Sequence, residues 1–400
     1  MPIPFSARWQ SLVLALTCLG FAARGFGAEP AVSGLAFTLA SPADYQVFQR
    51  ASAGLGVIPI DGNWSLPKGS KTPPPTGAQA RIATDGTAAG DSGWVTLPFD
   101  AGASGFRGSL PAPAGGWYHI QVRLLLAGSP QLVADVGHVG VGEVLVVAGQ
   151  SNSANYGEVR QTPASGLVAS SDGAAWRLSA DPQPGAGGEK GSFIPALGDA
   201  LVARLHVPVG FVCLGVGSTS VREWLPAHVP FPTAPTKANN TVAVAGGFES
   251  SGVIFERLVA RLRQLGPGGA RVVLWHQGES DWNQGVGHQV SPDQYQAMLR
   301  ELIRGSRSAA GWDIPWMVAQ ASYHNPADPG SDSFRAAQRA VADDHLTFVG
   351  PNTDALPGSL REKNGQGVHF SAEGLTRHGQ LWASVVGPWI EAQLAKGTAN

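Results

Sequence analysis

Four short blocks carry residue types suited to nucleophilic chemistry. AGQSNS (148–153) follows an apolar run, so Ser151 is expected on a turn that exposes its hydroxyl at the end of a strand. GVGSTSVREWLP (215–226) follows a second apolar run. Its Gly217 permits close backbone approach and can offer an N–H to a developing oxyanion. WHQGESDW (275–282) follows a third and supplies Gln277 and Ser280, able to hold an oxyanion or orient a substrate. GQGVHFSAEG (365–374) precedes the last helical stretch and places His369 to meet Ser151 across the strand ends. A serine, an imidazole and amide donors are the parts of acyl transfer, and that chemistry needs no metal or organic cofactor. Glu279, Ser280 and Asp281 are as suited to bracing loops as to touching a substrate.

The elements that position these residues are legible from periodicity. After Gly142 apolar runs alternate with amphipathic stretches. The runs are 143–149, 207–215, 271–277, 314–320 and 346–350. Between and after them helices are predicted over 194–206, 252–265, 291–307, 333–345 and 371–395. This alternation predicts an α/β domain with a parallel sheet and helices on both faces, its ligands held at the carboxyl ends of the strands. Residues 29–141 instead show short β-forming runs separated by Gly- and Pro-rich turns (35–39, 45–49, 94–99, 117–126), which predicts a small all-β, sandwich-like domain. Two long loops, 158–192 and 224–250, are expected either as walls of the site or as plain insertions.

The four blocks, in this order, resemble those of SGNH hydrolases, specifically the sialate O-acetylesterase-like and acetylxylan-esterase-like carbohydrate esterases. The resemblance covers about 142–394. It implies a three-layer, flavodoxin-like SGNH domain over 142–400 and the removal of acetyl groups from carbohydrates. It also implies Ser151 as nucleophile, His369 as base, and Gly217 and Gln277 as oxyanion donors. The family usually has Asp three residues before the histidine; here Gln366 stands there. Gln366 or a backbone carbonyl orients His369, or Asp354 swings in, or the site is impaired. Arg222, Trp224 and Trp282 lie beside the blocks as candidates for sugar binding, and Arg222 is also suited to a surface salt bridge. Two rival functions remain: a catalytically weak sugar-binding protein on this scaffold, and a lipase or thioesterase acting on longer acyl chains.

Bulk properties narrow the partners. The 400 residues suit two folded domains and a leader. Lys plus Arg number 27 and Asp plus Glu 29, a net charge of -2, so no basic face for nucleic acid or an anionic membrane is expected. Arg8, the apolar run 11–23 and the small residues after it predict a signal peptide over 1–28, hence a secreted or periplasmic protein with no membrane contact beyond that signal. The two cysteines are Cys18, in that leader, and Cys213, in an apolar run where it is expected to be an inert core residue. The histidines show no HExxH-type metal spacing.

Overall fold

The computed structural model describes residues 35–83, 92–127, 129–237 and 239–397; the expected signal peptide (1–28) lies outside them. The chain forms a mixed α/β structure organised around one 21-residue strand, Ser129–Gly149. Its first half pairs antiparallel with Gly115–Leu126, from Ser129 opposite Leu126 to Val141 opposite Gly115. Its second half, Glu143 onward, pairs parallel with Val209–Cys213 on one side and, from Leu145, with Val272–His276 on the other. The strand therefore changes partners near Val141–Glu143, with no break in the backbone.

Parallel pairing continues from Val272–His276 to Trp316–Gln320 and Thr347–Asn352, and from Val209–Cys213 to Val168–Ser171. Trp176–Leu178 closes that edge antiparallel. Setting this outer pair aside, the five main strands lie in the order 2-1-3-4-5. The switch point falls between the first and third strands, where α/β sheets form their crevice.

The burial of Val144–Gly149 on both faces explains why this stretch reads as an unbroken apolar run. Val144, Val146 and Ala148 pack with Leu258, Leu262, Leu299 and Leu302, from helices Val253–Leu265 and Pro292–Ala310. Leu145 and Val147 pack on the other face with Leu197, Leu201, Trp382 and Val386, from Ile194–Leu205 and Ala372–Gly397. Cys213 belongs to this second cluster, and burial pushes its thiol up to about 12. Helix Pro292–Ala310 is delimited by local chemistry. Ser291 accepts from the Gln294 N–H while the Gln294 side chain answers the Ser291 N–H, and Gly311 ends it in the left-handed region. The helix expected over 333–345 is shorter, Asp332–Arg339.

Among the described residues before Gly142, the N-terminal part holds strands and no helix. Ala36–Ser41, Leu55–Ser65, Gly105–Pro113 and Phe99–Asp100 form one antiparallel sheet. Gly77–Ala83 and Gly115–Leu126 lie in the other, with the start of the long strand. Ile58, Ile60 and Leu110 from the first sheet share a core with Ile120, Val122 and Leu124 from the second. Glu143, fully buried, ties this part to the base of the α/β sheet: it holds Arg50 at 2.7 Å and Arg271 at 2.8 Å. The segment expected as a loop over 224–250 contains a small antiparallel sheet of Pro230–Phe231, Thr241–Val244 and Gly247–Ser250.

Candidate active site

The turn bearing Ser151 is forced by its neighbours. A side chain at Gly149 would meet the His276 carbonyl oxygen at 2.0 Å, and its φ of +131° suits only glycine. The adjacent strands can therefore close, and Ser151–Ser153 forms a single 3-10 turn. Gln150 fastens the turn to the third block: its N–H donates to the His276 carbonyl, and its Oε1 accepts from the Ser280 N–H at 2.9 Å. Asn152 fastens it to the third and fourth, donating to Glu279 Oε1 at 2.8 Å and to the Val368 carbonyl at 3.2 Å. The Ser151 hydroxyl makes no hydrogen bond within the described chain, and the residue opens onto a cleft of about 310 Å³ whose wall also holds His369.

The imidazole of His369 has a carboxylate partner: its Nδ1 lies 2.8 Å from Oε1 of Glu362. A carboxylate only accepts, so Nδ1 carries the proton and Nε2 is left as the basic nitrogen. Tyr156 stacks on the ring at 5.6 Å between centroids. Burial holds His369 below the usual histidine range, and Glu362 opposes that shift.

Glu362 corrects both orienting candidates. Gln366 is exposed, and its backbone N–H closes a turn onto Lys363. Asp354 is spent elsewhere, accepting from the Ser322 and Tyr323 N–H groups and from Arg335 at 2.6 Å. Glu362 reaches His369 because Lys363, Asn364 and Gly365 all adopt positive φ (54°, 54° and 85°) and reverse the chain. Arg361 then bridges antiparallel to Phe370, and Glu362 N donates to the His369 carbonyl at 2.8 Å. The Asn364-Gly365 dipeptide is a turn signal visible in the sequence; it was the available clue to this acid.

Gly217 stands behind Ser218, which faces the cleft. Its N–H has no acceptor within the described chain, nor has that of Ser151. A side chain at Gly217 would lie 2.4 Å from the Tyr156 hydroxyl, so glycine here leaves room for the ring that packs on His369.

Four other candidates do not line the cleft. Gln277 is fully buried and its Nε2 donates to Asp281 Oδ2 at 2.6 Å and to the Thr219 carbonyl at 3.1 Å; its amide hydrogens brace the floor and are not presented to an oxyanion. Arg222, 1% exposed, donates to the Thr233 and His288 carbonyls and to Ser220 Oγ, so it binds protein rather than sugar. Trp224 is a core residue, with Nε1 donating to Thr219 Oγ1 and its ring edge-on to Trp275. Trp282 is half-buried against Phe334 and donates to Asp328, outside the cleft wall. The wall instead includes Thr236, Lys237, Glu279, Ser280, Asn283 and His324. Thr236 and Lys237 come from the 224–250 segment, which thereby serves as a wall. Glu279 is buried and desolvation raises its carboxyl, with Oε2 left without a partner. Among the described residues no group of His, Cys, Asp and Glu is placed to hold a metal ion.

A serine and a carboxylate-bound histidine thus line one cleft at the switch point of an α/β sheet. The family model for carbohydrate esterases, sialic acid-specific acetylesterases, matches residues 141–386, and the chain belongs to that family. No curated protein matches the chain. Among solved structures it is similar to a carbohydrate acetylesterase from Xanthomonas citri, with 19% identity over 86% of this chain and 74% of that one and a TM-score of 0.49. It is also similar to a protein from Arabidopsis thaliana (19% identity, 60% and 96% covered, TM-score 0.43). A third likeness is to a carbohydrate acetylesterase from Sinorhizobium meliloti (15% identity, 62% and 99% covered, TM-score 0.38).

Proposed function

We propose that this protein is a serine esterase that removes O-acetyl groups from carbohydrates, working outside the cytoplasm on an SGNH-type scaffold with a sandwich-like N-terminal domain. One observation carries the reading. His369 has Nδ1 fixed by Glu362 and lines the same cleft as an unbonded Ser151 hydroxyl.

Nε2 of His369 takes the Ser151 proton as Oγ bonds to the acetyl carbon. The carbonyl electron pair moves to oxygen, which faces the N–H groups of Ser151 and Gly217; one such donor contributes roughly 3–4 kcal/mol in comparable sites. Collapse breaks the bond to the sugar oxygen, and the His369 imidazolium, stabilised by Glu362, protonates that leaving group. Water then repeats the sequence and releases acetate. Thr236, Lys237, Ser280 and Asn283 give the wall a polar character that suits a hydroxyl-rich substrate better than a long acyl chain. With Glu362 in place, the missing acid no longer argues for a catalytically weak binding protein.

The test is acetate release from aryl acetate and from a panel of acetylated glycans, sialic acids, xylan and pectin among them. Activity on the glycans that Ser151→Ala abolishes is the expected result. Undiminished turnover by Ser151→Ala would overturn the proposal.

A further inference from the structure

A second cavity, of about 500 Å³, shares no residue with the catalytic cleft. It lies where the all-β part meets the α/β part, the kind of junction where small-molecule sites tend to form. Three sources build its walls. Val57 and Pro59 come from strand Leu55–Ser65, and Gln46 from the segment before Val47–Gln49. Trp176 comes from the edge strand of the parallel sheet, and Arg261 and Gln264 from the last turns of helix Val253–Leu265.

Two features of this cavity suit a ligand. Arg261 donates one N–H to Gln264 Oε1 at 3.1 Å, but its Nε is buried with no partner, and it makes no ion pair among the described residues. The nearby Asp172 accepts the Ala175 and Ala174 N–H groups on Oδ1; these bonds, and to a lesser extent the Arg261 charge, hold its carboxyl below the usual range, without an ion pair. Nη2 of Arg261 makes no hydrogen bond within the described chain, so that donor is left for a ligand in the cavity. The second feature is apolar. Trp176 is only half-buried, its ring lying against Gly210, where an added side chain would sit 2.8 Å from it, and Val57 is 46% exposed on the facing wall. Gln264 is held in place by donating to the Gly173 carbonyl, and Gln46 accepts from the Ala43 N–H, leaving its own amide hydrogens for a ligand.

An aromatic face, an apolar wall, amide donors and an arginine without an ion pair match a sugar ring that carries a carboxylate. We propose that this junction cavity is a second, non-catalytic site for a unit of an acidic glycan, with Trp176 stacking on the ring and Arg261 holding the carboxylate. Arginine presents two parallel donors to a carboxylate, and its geometry is specific for such planar anions. The site would anchor a polymeric substrate while the catalytic cleft works on a different residue of it. The proposal is independent of the catalytic reading, because binding here needs no turnover.

Calorimetric titration of the full chain carrying Ser151→Ala tests it, with three probes: de-esterified oligogalacturonate, oligosialic acid, and neutral xylo-oligosaccharide. Binding of at least one acidic probe is expected, with the neutral one weaker; which acidic probe binds identifies the source of the carboxylate. Adding Arg261→Gln should weaken that binding about tenfold, equivalent to roughly 1.4 kcal/mol. In the otherwise native chain Arg261→Gln should leave turnover of a small aryl acetate unchanged. Trp176→Phe, which keeps an aromatic face and spares the packing, should weaken binding less than Arg261→Gln. No binding of either acidic probe, equal binding of the neutral one, or affinity indifferent to Arg261→Gln would each overturn the proposal.

Discussion

The two sides of the cleft shared by Ser151 and His369 are built on opposite plans. On one side His369, Glu362 and Tyr156 form a small group on a reversed turn, with 21% of the His369 side chain open to the cleft. On the other, Gln277, Asp281, Ser220 and Arg222 form a sealed network. Asp281 accepts from Gln277 Nε2, the Val221 N–H and the Ser220 hydroxyl, and all four residues are buried. Both sides lie at strand ends and both carry motif residues. Polar identity at a strand end therefore does not say whether a side chain faces the ligand or holds the loop that does. What separates the two is where the donors point. Nε2 of His369 is left for chemistry, whereas the amide hydrogens of Gln277 are already committed.

The contrast can be broken by substitution. The largest effect is expected at Glu362→Gln. Loss of the carboxylate that fixes the Nδ1 tautomer should lower kcat/KM by up to about 10⁴, as in serine proteases, with little change in thermal stability. The pH profile should move with it. Activity is present while His369 is neutral and is lost as the pH falls through its pKa, which burial holds below 6.5. Glu362 raises that pKa, so its removal shifts the acid limb further down in pH, measurable from the residual rate.

Next comes a purely structural pair. Glu143→Ala leaves Arg50 and Arg271 without their buried partner and should cost about 3–5 kcal/mol in denaturant unfolding, while turnover per folded molecule stays near that of the parent. Gln277→Ala should resemble this second kind of change, destabilising by about 1–3 kcal/mol because Asp281 and the Thr219 carbonyl lose a donor. Were Gln277 an oxyanion donor instead, kcat would fall about 10²–10³-fold with stability intact. The smallest effect is expected at Gln366→Ala. An exposed side chain without a partner should change kcat/KM by less than about twofold and stability by less than about 0.5 kcal/mol.

These outcomes bear on how far the sequence could be read. The strands ending at Gly149, Cys213, His276 and Gln320 coincide with apolar runs because parallel strands buried on both faces leave continuous hydrophobic stretches. The placement of Ser151 and His369 on one cleft was legible because each sits on a turn next to a periodic element. Glu362 was not, since its approach depends on three successive left-handed residues, and sequence spacing measures distance only where the backbone is regular. Arg222 and Trp224 misled for a related reason. Both follow a strand end, but the short turn Val221–Trp224, capped by Ser220, directs them inward. Strands Leu55–Ser65, Gly77–Ala83 and Gly105–Pro113 were hidden among the glycines and prolines that elsewhere in that region mark turns.

The central claim is that Ser151 is a nucleophile activated by His369. An aryl phosphonate esterifies an activated serine irreversibly and needs no knowledge of the natural glycan. The account predicts one label per chain, located on the peptide containing Ser151, with labelling slowed sharply by His369→Ala. Labelling at another residue, or a rate indifferent to His369→Ala, would contradict it.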